Sequence, residues 1–308
     1  MNRPVIPSRG DARRTPGSAR IARSARIDRV ARLARIAGEL LLTVGAVLLL
    51  YVFYEAFWTN LASGRLQAEA ASDLEEQWDR TSPDAADAPA TAAAAVPVPP
   101  PVPMLGEPFA RIHLPTLGED ATHVVVEGTR ADDLRTGPGH YPGTQMPGEP
   151  GNTALAGHRN GSGAVFEHLD RLDSCDAIVI ETETQWQTYR LLPVEPGGAE
   201  RLAAARECLT PRQVERVTGG DYAHVEGVHI TTPDAVDVIA PVPGTADAHG
   251  HDAHGHGANP GTPRAAPEPL LTLTTCHPMY SNAERLIVHA ALVETIAKTD
   301  GRPAALED

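Results

Sequence analysis

The chain has 308 residues and a formal net charge of −14, but that charge is split along its length. Residues 1–35 hold ten arginines against Asp11 and Asp28, a balance of +8, which leaves −22 on the rest. So acidic a bulk argues against nucleic acid as a substrate, and its length is ample for a packed core. In chain order, the arginine-rich head runs into 36–58, where residues 40–54 carry no charge and only Glu39 and Glu55 interrupt the wider window. At 1.5 Å per residue, twenty-odd such residues cross a hydrocarbon layer of roughly 30 Å. A cleaved signal peptide would need a small-residue cleavage site, for which Ala62-Ser63-Gly64 is a weak match. The long basic head and the aromatic belt of Tyr51, Phe53, Tyr54, Phe57 and Trp58 favour an uncleaved, single-pass membrane anchor. Arginines stay on the cytoplasmic side, so 1–35 is expected inside the cell membrane and the C-terminal bulk outside.

Residues 59–103 read as an Ala/Pro-rich extracellular linker, with a short helical piece near 66–78 and a semi-rigid polyproline stalk at Val96-Pro-Val-Pro-Pro-Pro-Val-Pro103. From 109 onward the pattern is short strands punctuated by Gly and Pro: 109–114, 122–127, 152–157, 176–182, 187–194, 235–240, 270–276 and 285–295. Eight strands at this spacing predict an all-β closed barrel or sandwich. Helix is scarce, with turns near 131–134 and 164–169.

The chemistry concentrates late in the chain. Leu271-Thr-Leu-Thr-Thr-Cys276 alternates as a strand, with Leu271 and Leu273 on one face and Thr272, Thr274 and Cys276 on the other. Arg285-Leu-Ile-Val-His-Ala alternates too, placing Arg285 and His289 opposite the apolar set Leu286, Val288 and Ala290. A thiol and a guanidinium on the open faces of two strands suggest a nucleophile and a cation meeting in a groove. His158 ends Asn152-Thr-Ala-Leu-Ala-Gly-His158 and offers a base, with Ala154 and Ala156 leaving room beside its ring. His277 and His289 compete for that role. His277 neighbours Cys276 on a strand and so points to the other face, while His289 lies about 13 Å further along.

These segments resemble the sortases, whose signature is Thr-Leu-x-Thr-Cys. Val124-Val-Val-Glu-Gly-Thr129, Gly137-Pro-Gly-His-Tyr-Pro-Gly-Thr144, Gly151-Asn-Thr-Ala-Leu-Ala-Gly-His-Arg159 and Thr272-Leu-Thr-Thr-Cys-His-Pro278 are similar to the class E sortases of actinobacteria. The resemblance implies an eight-stranded sortase-like β-barrel with short helices, preceded by one N-terminal transmembrane helix. It makes 104–297 the catalytic domain, with inserts near 196–229 (helical over 199–208) and 243–269 and a tail at 298–308. It implies a cysteine transpeptidase without a cofactor, with Cys276 as nucleophile, His158 as acid and base and Arg285 at the oxyanion. The substrate is a Leu-Ala-x-Thr-Gly or Leu-Pro-x-Thr-Gly sorting signal on a surface protein, cut between Thr and Gly. The acceptor is a peptidoglycan cross-bridge amine on its lipid-linked precursor. Tyr141, Thr274 and Thr275 are expected at the substrate. Glu107-Pro-Phe109 is similar to the lid of pilin-polymerising sortases but runs into a strand, so it reads as a strand lead-in. The rival from another class is a catalytically silent, metal-binding membrane ectodomain.

Two departures from the family pattern matter. After His158-Arg159 the chain has Asn160-Gly-Ser-Gly-Ala164 in place of an aromatic-containing segment. Cys175 occupies a turn where the family usually carries Pro-Gly, and Cys208 lies in the first insert; two cysteines at two departures outside the membrane are expected to pair. The second insert holds His249, His251, His254 and His256, a weak set of metal ligands on a Gly-rich loop leading into the strand of Cys276.

Overall fold

The computed structural model describes residues 17–54, 59–81, 103–118, 120–245 and 266–307. It divides into two units, Met1–Glu55 and Ala56–Asp308. Within the first, the described residues form one helix, α1 (Gly17–Phe53), which carries the arginines from Arg20 to Arg35 and the apolar stretch that follows them. Its window Val30–Phe53, 24 residues of mean hydropathy 2.2, is long and apolar enough to cross a membrane. The expected span ran to 58; α1 ends at Phe53, and 55–58 lie outside the described residues.

The second unit is a closed barrel. Its strands are β1 (Pro108–His113), β2 (Thr122–Glu127), β3 (Gly139–His140), β4 (Gly151–Ala156), β5 (Ala177–Glu181), β6 (Gln185–Leu191), β7 (Val228–Thr231), β8 (Pro269–His277) and β9 (Glu284–Ala297). Eight close a ring in the order β6-β5-β1-β2-β3-β4-β8-β9 and back to β6. The 14 residues of β9 make this closure work. One edge pairs with β8 along Glu284–Ala291, while the other pairs with β7 over Arg285–Val288 and with β6 over Ala290–Ala297. The barrel interior is filled from alternate positions, among them Ile112, Val125, Leu155, Phe166, Ile178, Ile180, Leu271, Leu273 and Val288, all buried.

The predicted strand at 235–240 is instead a 3₁₀ turn, Val236–Ile239. Val236 is 61% exposed, so its alternation does not mark a buried face. The carbonyls of Val238 and Ala240 instead turn toward the buried amide of Asn152, whose Nδ2 donates to both at 3.2 and 3.0 Å. The ring reaches eight through the two-residue β3, and β7 adds a ninth strand from within the first insert. The rest of that insert forms α4 (Gly198–Cys208) and α5 (Pro211–Gly219), started by a Thr210/Gln213 capping box. Both helices cover Leu270 and Ala291, a cross-strand pair on the outer face of β8 and β9. Glu107-Pro-Phe109 enters β1 directly.

The expected linker is also revised. Its first half is α2 (Thr59–Thr81), longer than the helical piece read from sequence, and it lies against the barrel. Ala70 and Leu74 bury against Val124 of β2. Gln67 accepts from Val124 N at 2.8 Å and donates to Val124 O at 3.1 Å and to Thr136 O, in the manner of an extra strand residue. Residues 82–102, including most of the proline run, lie outside the described residues.

Candidate active site

Cys276 is a half-buried free thiol near the end of β8. Directly across the antiparallel ladder sits Arg285 of β9, about 5 Å away between Cα atoms. On the other side β8 runs parallel to β4, with Ala156 opposite Thr274. Continued two residues past its last pair, the same register would bring His158 level with Cys276. Cys276 is thus paired with Arg285 on one side and flanked on the other by the chain that leaves β4 toward His158.

Three contacts hold His158 in that register. Gly157 N donates to Thr274 O at 3.0 Å, and Thr275 Oγ1 donates to Gly157 O at 2.8 Å. One residue further, Arg159 Nη1 donates to His277 Nδ1 at 2.7 Å, so the neighbours of the two reactive residues clasp each other. A guanidinium can only donate, which puts the His277 proton on Nε2. Arg159 is 4% exposed and also meets Asp170 at 2.9 Å. Gly157 is required, since a Cβ there would come within 2.4 Å of the Phe166 ring. Burial lowers the His158 pKa below its ordinary value, which favours a neutral ring at pH 7. Arg285 Nη1 donates to the carbonyls of Asn282 and Glu284, which orients the guanidinium and leaves it further N–H donors for an oxyanion.

The other expected site residues divide. Tyr141 is half-buried, and its hydroxyl meets Oγ1 of Thr274, itself 4% exposed, at 2.9 Å. Thr275 is 3% exposed and its hydroxyl donates to Gly157 O, so it ties β8 to the chain that leads into His158. Cys175 and Cys208 are joined by a disulfide, with Cα atoms 5.7 Å apart, tying α4 to the turn before β5. His249, His251, His254 and His256 lie outside the described residues. The stems of their loop are held by His224 Nε2 on Pro243 O and by Arg216 Nη1 on Ala266 O. The loop enters β8 near Pro269, seven residues and about 23 Å of strand away from Cys276, at the end remote from the thiol. Among the described residues no group of three or more His, Cys, Asp or Glu could hold a metal ion.

Sequence reasoning missed the supports beneath the site. His140 is buried, with Nδ1 2.6 Å from Glu127 and Nε2 near Thr144 Oγ1 and Gln145 O, and so anchors the turn that carries Tyr141. His289 is 1% exposed and 2.8 Å from Thr272 Oγ1, whose hydroxyl donates to Asn152 Oδ1. Its ring stacks on His229 with centroids 5.4 Å apart. Burial, reinforced by His229 and His224, pushes its pKa down to about 3, which keeps it neutral and out of acid-base work. Their signal in the sequence was a buried-face histidine opposite a threonine or near a glutamate, legible only once the pairing was known.

The sortase domain family matches residues 112–293, spanning β1 to β9. The chain is 48% identical to the SrtF sortase from Corynebacterium diphtheriae, covering 70% of this chain and all of that one, with a TM-score of 0.61. It is 28% identical to Sortase SrtE1 of Streptomyces coelicolor over 87% of its own length and 60% of the relative's, and 28% identical to Sortase SrtE2 of the same organism over 86% and 83%. With the barrel, the strand register and these similarities in agreement, the chain belongs to the sortase family, whose members are cysteine transpeptidases.

Proposed function

We propose that the protein is a membrane-anchored transpeptidase. It cleaves a Leu-Ala-x-Thr-Gly or Leu-Pro-x-Thr-Gly sorting signal between Thr and Gly and joins the surface protein to a cross-bridge amine of the lipid-linked peptidoglycan precursor. The observation that carries the reading is the register setting Cys276 between Arg285 and the continuation of β4 at His158. The thiol loses its proton to His158, and its sulfur attacks the threonine carbonyl. Arg285 donates to the oxygen as it becomes an oxyanion. When the intermediate collapses the C–N bond breaks, His158 returns the proton to the leaving glycine amine, and a thioester remains. The acceptor amine then attacks the thioester, and His158 takes its proton and passes it to the departing sulfur as the C–S bond breaks, which releases the thiol and a new amide. Tyr141 is read as a wall of the signal groove, fixed by Thr274. In this reading the head is cytoplasmic and the barrel outside, so protease added to intact protoplasts should degrade the barrel.

The test uses the full chain in detergent with a quenched-fluorophore peptide carrying each signal, together with intact-mass detection of the thioester. Cys276→Ala should lose both cleavage and adduct. Arg285→Lys should be severely impaired, because an ammonium cannot reproduce the planar fork. Turnover by the alanine variant would sink the mechanism.

A further inference from the structure

The five residues after Arg159 form a loop that the barrel alone does not explain. Gly161, Ser162, Gly163 and Ala164 have φ of 64°, 46°, 82° and 45°, four consecutive left-handed residues of which two are not glycine. Such backbone persists only where its surroundings hold it in place. Inside the loop, Ala164 N donates to Gly161 O, and Phe166 N closes back onto His158 O, so the loop geometry is tied to the backbone of His158 itself. Asn160 Oδ1 accepts from Tyr280 N, which links the loop to the turn between β8 and β9. The remaining hold comes from outside the barrel. Gly163 N donates to Asn60 Oδ1 of α2 at 3.0 Å across 103 residues of sequence. Ser63, one turn along α2, is 3% exposed, and a side-chain carbon on Gly163 would come within 3.3 Å of its Cβ.

We propose that α2 is a positioning element of the active site: its first turn, through Asn60 and Ser63, braces the loop Asn160–Ala164 and thereby sets the His158 imidazole against Cys276. The stripe Asn60, Ser63, Gln67, Ala70, Leu74 and Trp78 recurs every three or four residues and forms one face of the helix. Its far part is clamped to β2 by Gln67 and Leu74, so the brace does not depend on the single bond from Asn60 for its own place. Asn60 and Ser63 act through the loop, and the inference rests on the reading of His158 as the acid and base.

The experiment compares full-length wild type, Asn60→Ala and Asn60→Asp in detergent, by signal-peptide kinetics and by backbone amide exchange of the segment 159–166. Asn60→Ala should lower kcat by about three- to tenfold, the population shift expected from losing one hydrogen bond, with KM within about twofold. Exchange of 159–166 should rise by a similar factor while that of β8 stays unchanged. Asn60→Asp, which keeps an acceptor for Gly163 N, should restore both readouts, and an unchanged thermal midpoint separates a loosened loop from a damaged fold. Asn60→Ala with wild-type kcat and wild-type exchange overturns the proposal. Exchange is read without turnover, so a wild type that cleaves no signal peptide would count against the transpeptidase reading and be told apart from a failure of the brace.

Discussion

Acidification should destabilise this barrel through His289 by an amount that can be worked out. The ring is 1% exposed, bonded to Thr272 Oγ1 and stacked on His229. Its pKa is about 3 in the fold, chiefly because burial penalises the cation, against an ordinary imidazole value of about 6.5 when unfolded. The unfolded chain therefore binds the proton first. The stability from keeping the ring neutral is complete above about pH 6.5 and drains as pH falls from there toward about 3. At pH 5, one and a half units below the unfolded value, the loss from this ring is about 2 kcal/mol. The assay is urea unfolding of the full chain in detergent at pH 7.5 and 5.0, followed by tryptophan fluorescence, for wild type and His289→Gln. The glutamine amide can still donate to Thr272 but cannot take up a proton. The variant should start less stable at pH 7.5 and lose about 2 kcal/mol less than wild type on acidification. Equal losses in the two proteins would refute the assignment of a buried neutral ring.

Three further outcomes are expected. Burial depresses the His158 pKa, so the acid limb of kcat/KM should fall below the ordinary imidazole value of about 6.5, and a limb at or above it would contradict the half-buried ring. The Cys175–Cys208 bond closes a loop of 33 residues and should stabilise by about 3–4 kcal/mol in the loop-entropy account, read as the fall in urea midpoint for the double serine variant. Thiol counting in denaturant before reduction should find one reactive cysteine, and three would refute the pairing. Arg159→Met keeps the aliphatic stem but removes the bonds to His277 and Asp170. It should cost about 2–3 kcal/mol of stability and lower kcat, and wild-type values of both would show the clasp to be idle.

The barrel was legible because its strands alternate cleanly: Leu271 and Leu273 fill the interior while Thr272 and Thr274 take the other face, although both faces of β8 are buried. Pairing Cys276 with Arg285 needs only that alternation and a short turn. The segment 235–240 defeated the same reasoning, since an apolar alternation cannot report that a buried asparagine will claim its carbonyls. α2 was underestimated for a related reason. Its barrel-facing stripe begins with Asn60, Ser63 and Gln67, polar residues of which Asn60 and Gln67 bind backbone groups, so a reading based on hydrophobic periodicity finds little there. Arg159 and His277 looked like unrelated neighbours of the reactive residues, because contact between them follows only from the parallel register of β4 and β8.

That parallel register has a consequence for biosynthesis. The bonds from Thr275 to Gly157 and from Arg159 to His277 each span 118 residues, whereas a parallel pair cannot be made by a hairpin. A chain made N-terminus first exposes His158 long before Cys276 exists, and Arg285 arrives later still. β9 must then zip onto β8 and β6 before the ring closes. Pairing of β8 with β4 brings the chain of His158 alongside Cys276, and Arg285 joins them only when β9 is in place. The order in which strands are made thus sets the order in which the groups flanking Cys276 can reach it.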